Sequence, residues 1–206
     1  MPDPITRRTF TTLSAGVVLG ASDAVAADPP AVAPPPHPKA TEAEFVRDYP
    51  PPGFTPSWKK PQVNRLLVQD FVVFAHMDAD VVKKLLGREP ALLNATMDWG
   101  GGDWETAIGA AAHMGRRDIA EFLIEAGARP DLFCAAMLGL TDAVRAFLTL
   151  QPKLIDAKGP HGFALHFHAQ VGGKEAEATL DYLQSVKKVE LRPVPFLKKP
   201  AAPPPK

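Results

Sequence analysis

The stretch Asp103-Trp-Glu-Thr-Ala-Ile-Gly-Ala-Ala-Ala-His-Met-Gly115-Arg-Arg-Asp118-Ile-Ala-Glu-Phe-Leu-Ile-Glu-Ala-Gly127-Ala128 decides the fold class of this chain. Its apolar residues recur at helical spacing, first from Ile108 to Ala112 and again from Ile119 to Ile124. Gly115 lies between the two runs, so the stretch predicts two short helices joined by a turn. Such a pair has an apolar face that it cannot bury alone, and neighbouring pairs must therefore stack.

The second helix of this pair recurs along the chain. Residues 80–86 and 142–148 repeat the residue types of 118–124 in the same order, and residues 175–183 form a looser copy. The separations of these copies differ, which indicates one helix-pair unit with connections of variable length.

The repeated unit resembles the ankyrin repeat. Thr106-Ala107-Ile108 stands at the Thr-Pro-Leu element of that family, and Ala111-Ala112 stands at its paired alanines. Further matches are Gly115, Gly127-Ala128, Leu132, Ala135, Ala136, Gly139, Gly162 through His166, and Gly172, whereas Met77 replaces the turn glycine of the first copy. The resemblance implies about four repeats between residues 64 and 184, in an all-α solenoid that binds another protein.

Glycine and proline positions agree with this organisation. We expect Gly115, Gly139 and Gly172 to adopt positive φ in the turns between paired helices. Pro90, Pro130 and Pro152 are expected to follow helix ends, because proline cannot continue a helix. The connections 86–108 and 148–165 are long enough for the projecting finger of an ankyrin repeat.

The remaining prolines, most of the 23 in the chain, concentrate in two flanks. We therefore divide the chain into an N-terminal segment 1–26, a proline-rich arm 27–61, a repeat domain 62–186 and a basic, proline-rich tail 187–206. Both flanks are expected to be extended, largely disordered spacers.

The N-terminal segment resembles a bacterial twin-arginine export signal. Arg7 and Arg8 are followed by Phe10, by a weakly apolar core rich in small residues, and by Ala24-Val25-Ala26 as a cleavage site. An ordinary Sec signal is the alternative. Either signal implies a periplasmic or other extracytoplasmic protein, without an integral membrane segment in the mature chain.

Composition excludes several classes of function. The 23 basic and 23 acidic residues balance, so nothing indicates a nucleic-acid partner. Cys134 is the single cysteine, which excludes an internal disulfide and a four-cysteine zinc site, and it is expected to be a buried, unreactive thiol. No catalytic triad or carboxylate pair stands out, so we expect a monomeric binding module rather than an enzyme.

The finger between the first two repeats carries the best candidates for partner binding. Residues 98–105 combine three glycines with two tryptophans and several carboxylates, and tryptophan is frequent at interface hot spots. The candidate partner-binding residues are Trp99, Asp103, Trp104, Glu105, His113, Arg116 and His161. The alternative is that the glycines only make a tight turn while the tryptophans cover the edge of the stack.

The histidines are a second set of candidate residues, as metal ligands. His161, His166 and His168 lie close in sequence, but the helical register separates His166 from His168, and no helical His-x-x-x-His pair exists. The sequence therefore predicts no metal site and no cofactor. The leading hypothesis is an exported ankyrin-repeat interaction module; the alternative is a small-molecule or metal-binding accessory to an exported redox enzyme.

Overall fold

The computed structural model describes residues 43–194 and residue 196. The export-signal residues Arg7, Arg8 and Phe10 and the first part of the arm lie outside the described residues. Contacts divide the chain into one unit up to Thr55 and a second from Pro56 onward. In the first unit, residues 43–55 are exposed and form no helix or strand.

The second unit is mostly helical, as the repeat pattern predicts. Its described part contains eight α-helices in four consecutive pairs: α1 (Arg65–Phe74) with α2 (Ala79–Arg88), α3 (Ala107–His113) with α4 (Arg117–Glu125), α5 (Leu132–Leu138) with α6 (Thr141–Leu150), and α7 (Leu165–Val171) with α8 (Glu177–Val186). Short 3-10 segments at 90–94, 152–156, 160–162 and 173–176 complete the connections.

The pairs pack against one another in chain order. The first helices form one row, with α1 on α3, α3 on α5 and α5 on α7, and the second helices contact each other as α2 on α4 and α6 on α8. Two clusters of buried apolar side chains result, one centred on α1 to α4 and the other on α5 to α8. This packing buries the apolar face that each short pair could not bury by itself.

Side-chain caps fix where several helices begin. Asn64 accepts a hydrogen bond from the Leu66 N–H before α1, and Asp78 accepts from the N–H groups of Asp80 and Val81 before α2. Thr106 and Asp131 cap α3 and α5 in the same way. Each cap satisfies backbone donors that have no partner within the helix.

The expectation of an all-α fold needs one correction, in the finger between α2 and α3. Strands β1 (Thr96–Asp98) and β2 (Trp104–Thr106) form an antiparallel hairpin, with Asp98 opposite Trp104. The turn is closed by Asp98, whose Oδ1 accepts hydrogen bonds from the N–H groups of Gly100 and Gly102. All three glycines of this turn have positive φ, a conformation that glycine adopts without the steric cost of a Cβ.

The expected glycine turns are confirmed at two positions and wrong at the third. Gly115 and Gly139 have φ of +66° and +77°, whereas Gly172 has an ordinary φ of −66°. At Gly172 the requirement is space instead, because a Cβ there would lie 2.0 Å from the Met137 carbonyl oxygen. The end of α7 therefore approaches the backbone of α5 too closely for any side chain.

The expectation of an extended, largely disordered tail from residue 187 is corrected for its described residues 187–194. His166 Nε2 lies 2.9 Å from the Lys187 carbonyl oxygen, and Gln170 Nε2 donates to the Arg192 carbonyl at 2.8 Å. Val194 is buried in the first apolar cluster. The first part of the tail thus packs along α7. Among the described helices, none has both the length and the apolar character needed to cross a bilayer.

Candidate metal centre

The finger hairpin buries a carboxylate. Side chains alternate along a strand, so Trp104 is 60% exposed whereas its neighbour Glu105 is 1% exposed. Moving an isolated carboxylate out of water is costly unless a counter-charge and hydrogen bonds compensate for the lost hydration. The groups around Glu105 should therefore show what compensates for the burial of its charge.

Three histidines from distant parts of the chain surround Glu105. His113 Nδ1 lies 3.0 Å from Glu105 Oε1, and the Nε2 atoms of His76 and His161 each lie 3.5 Å from Glu105 Oε2. His76 follows α1, His113 ends α3, and His161 lies in the 3-10 segment before α7. One potential ligand atom from each of the four residues lies within 4.8 Å of all the others.

His76 is oriented by the end of its own helix. Its Nδ1 lies 3.0 Å from the Val72 carbonyl oxygen and 3.1 Å from the Val73 carbonyl oxygen. Carbonyl oxygens only accept hydrogen bonds, so the proton is on Nδ1 and the lone pair is on Nε2, which faces Glu105. Burial lowers the pKa of His76, although Glu105 acts in the opposite direction. The lowered pKa favours the neutral form of the imidazole.

His161 is oriented by Asp103, which lies at the end of the finger turn just before β2. Asp103 accepts from the His161 backbone N–H at 2.9 Å through Oδ1, and from Nδ1 at 2.8 Å through Oδ2. The pKa of Asp103 is lowered, first by the backbone N–H and then by the imidazole, so it is an ionised acceptor. Nε2 of His161 therefore carries the lone pair and faces Glu105.

The backbone of His161 is itself unusual. With φ of +56°, it is the single non-glycine residue with positive φ among residues 43–194 and 196. Such a conformation costs on the order of 1 kcal/mol and persists only where the surroundings enforce it. The two hydrogen bonds to Asp103 are the contacts that hold this residue over the finger.

The most buried pair of the cluster is unsatisfied. Glu105 Oε1 and His113 Nδ1 lie 3.0 Å apart, but their alignment does not make a hydrogen bond, and neither atom has another partner among the described residues. Glu105 Oε2, in contrast, accepts from Trp99 Nε1 at 2.8 Å. Buried polar atoms without partners are rare in folded proteins, and an ion between them would satisfy both.

The chemistry of this donor set fits a divalent transition metal. Imidazole nitrogens with one carboxylate and no sulfur suit zinc, copper(II), iron(II), cobalt(II) and nickel(II), whereas magnesium and calcium prefer oxygen ligands alone. Bonds of about 2.0–2.1 Å place tetrahedral ligand atoms roughly 3.3 Å apart, close to the distances from Glu105 to each histidine. Hydrogen bonds to the outer atoms of metal-binding histidines and carboxylates are a common feature of such sites.

The structure gathers five of the seven candidate residues from the sequence at this cluster. Glu105, His113 and His161 belong to the cluster, and Asp103 and Trp99 bond to it. Trp104 lies on the opposite face of its strand and lines a surface cavity with Phe133, Lys158 and Pro160. Arg116 pairs with Asp118 at the start of α4.

His76 is the cluster member that sequence reasoning did not select. It lies 37 residues before His113, close to the spacing between the first two repeats, and both residues lie at the C-terminal end of the first helix of a pair. A comparison of equivalent positions in successive repeats, rather than of neighbours in sequence, would have identified this signal.

The other candidates lie elsewhere. Cys134 is buried, and burial raises the pKa of its thiol to about 12, which agrees with an unreactive role. His166 bonds to the start of the tail, and His168 is fully buried between Phe133 and Phe167. Comparisons of the chain with protein-family models, curated proteins and solved structures found no match.

Proposed function

We propose that this protein binds one divalent transition-metal ion through His76, Glu105, His113 and His161. The observation that carries the proposal is the buried pair Glu105 Oε1 and His113 Nδ1, two unsatisfied polar atoms 3.0 Å apart inside a ring of further ligand atoms. Separate hydrogen bonds turn the lone pairs of His76 and His161 toward the same point. Of the functions considered from the sequence, metal binding is the best supported.

Replacing Glu105 by glutamine tests this proposal. Tag-free full-length protein is stripped with a chelator and titrated calorimetrically with zinc(II), with magnesium(II) as a comparison ion. We expect one zinc per chain in the wild type, no magnesium binding, and at least about 100-fold weaker zinc binding in Glu105→Gln, because a neutral amide removes the charged ligand.

Glu125→Gln is the matched control, because Glu125 is an exposed carboxylate at the end of α4. This variant should bind zinc as the wild type does. Equal zinc affinity in Glu105→Gln and the wild type, or no stoichiometric zinc in the wild type, would contradict the proposal.

Partner recognition through the finger is the second candidate function. It is supported by Trp104, which is 60% exposed and lines a surface cavity. An exposed tryptophan contributes little to the packing of a single chain, whereas tryptophan is frequent at interface hot spots. Trp104→Ala should weaken capture of the partner from the native cell envelope while leaving zinc binding unchanged. Undiminished capture would remove Trp104 from the interface.

The remaining sequence hypotheses complete the proposal. The four helix pairs are ankyrin-type repeats, and residues 1–26 are a twin-arginine signal that exports the chain to the periplasm. The stacking of first helices on first helices supports the repeat assignment. An exported metal-binding protein corresponds to the alternative hypothesis from the sequence, a small-molecule or metal-binding accessory to an exported redox enzyme.

A further inference from the structure

The four proposed ligands differ in how far solvent reaches them. Side-chain exposure rises around the ring of ligands, from 0% for Glu105 and 4% for His113 to 14% for His76 and 29% for His161. Glu105 and His113 thus form the floor of the centre, and His76 and His161 form its rim. A purely structural metal site is normally closed on all sides.

Hydrogen bonds support three of the four ligands from outside the centre. The imidazole of His76 is backed by the carbonyls of Val72 and Val73, and that of His161 by Asp103. Trp99 donates to Glu105 Oε2. These contacts fix the ligands from behind, and the exposure of His76 and His161 marks the side from which we expect a further ligand to approach, past the Trp99 ring that lies against both.

Aromatic rings limit the size of this approach. The Trp99 ring lies edge-on to His161, with centroids 5.2 Å apart, and the Phe163 ring lies 6.2 Å from His161 and 5.3 Å from His113. Their apolar edges offer no hydrogen bond to a bulky polar molecule. The opening therefore suits a ligand of a few atoms that binds mainly to the ion.

The charge of the centre selects the kind of ligand. Three neutral imidazoles and one carboxylate leave a bound divalent ion with a net charge of one positive unit. Asp103 lies behind His161, on the side of Nδ1 rather than on the side of the ion. A small anion therefore gains more from coordination than a neutral molecule of the same size.

Building on the metal proposal, we propose that the ion keeps at least one coordination position toward the His76–His161 rim. That position holds exchangeable water and accepts a small anion, such as azide. Four protein ligands allow this for ions that take five or six ligands, among them cobalt(II) and manganese(II). The centre would then bind and exchange a small ligand rather than act only as a structural cross-link.

Cobalt(II) and manganese(II) forms of the full chain provide the test. Azide is titrated into the cobalt protein while the visible absorption is followed, and water-proton relaxation is measured on the manganese protein. We expect a saturable spectral change with one azide per cobalt, and faster water relaxation per manganese than Glu105→Gln gives with the same total manganese. Phe163→Trp, which enlarges a ring at the rim, should retain cobalt and bind azide roughly tenfold more weakly.

The outcomes separate this inference from the proposed function. A cobalt spectrum that excess azide leaves unchanged, with no inner-sphere water on manganese, would overturn the exchangeable position while metal binding stands. Azide that removes cobalt, measured as lost metal after desalting, also counts against the inference. Failure of the wild type to bind cobalt would overturn both proposals.

Discussion

At the scale of single residues, the candidate centre depends on side chains that hold other side chains in place. Asp103 is the clearest case, since its carboxylate accepts from both the backbone and the imidazole of His161. It bonds to Nδ1 and leaves Nε2 for the ion, so it is a positioning residue rather than a ligand. Trp99 is likewise a positioning residue, because its Nε1 donates a hydrogen bond to Oε2 of Glu105.

Asp103→Asn should therefore weaken metal binding without abolishing it. An amide can still accept a hydrogen bond from His161, but it lacks the negative charge that makes the imidazole a stronger ligand. Loss of such a partner typically lowers metal affinity 10- to 100-fold, and we expect zinc affinity to fall by about this much. Calorimetric titration measures it. Asp181→Asn, an exposed position on α8, is the control and should bind normally. An unchanged affinity in Asp103→Asn would show that His161 does not need this support.

At the scale of elements, the helix pairs are held by close backbone approach in addition to apolar burial. The end of α7 lies against the backbone of α5 at Gly172, and Gly139 comes equally close to Glu175. Arg117 of α4 also donates to the Met137 and Leu138 carbonyls at the end of α5, where a cation is favourable. Neighbouring pairs are thus joined by specific backbone contacts.

Two glycine-to-alanine substitutions distinguish close approach from helix propensity. Gly172→Ala places a Cβ 2.0 Å from the Met137 oxygen and should lower the free energy of unfolding by about 2 kcal/mol or more. Gly87→Ala, in α2, has nothing within 4 Å of its Cβ and should be neutral or stabilising by up to about 1 kcal/mol. Chemical denaturation measures both. Equal effects of the two substitutions would contradict the close packing of α7 on α5.

At the scale of the whole molecule, stability should depend on a buried histidine outside the metal centre. His168 is fully buried between aromatic rings, its Nδ1 bonds to the Ala164 carbonyl, and its Nε2 has no partner among the described residues. Burial lowers its pKa to about 4; the hydrogen bond to the Ala164 carbonyl and the charge of Glu105 raise it by less, and His113 adds a small further lowering.

The direction of the pH dependence follows from proton uptake. Between pH 6.5 and about 4, the unfolded chain binds a proton at His168 that the folded chain excludes, so the free energy of unfolding falls as pH decreases through this window. The full effect of this residue is about 3 kcal/mol and is absent above pH 6.5. His168→Phe should flatten that part of the pH profile, as measured by denaturation at several pH values. A slope equal to that of the wild type would exclude His168 as its source.

Much of the helical organisation could be predicted from the sequence, because helix periodicity and turn glycines are local properties. The four helix pairs follow from the spacing of apolar residues around positions such as Ile108 and Ile119, and Gly115 marks a turn that needs positive φ. The finger hairpin was not predicted as strands, because three glycines give little β-propensity. Its pairing depends on Asp98 closing the turn.

The sequence by itself determined the helix pairs, the connection that forms the finger, and which polar residues are available in it. Only the tertiary structure decided that His76, Glu105, His113 and His161 meet, because stacking of the helix pairs joins positions as much as 85 residues apart. It also decided that Glu105 faces inward while Trp104 faces solvent. The physical reason is that the convergence of these side chains is set by packing between helix pairs, which no local pattern encodes.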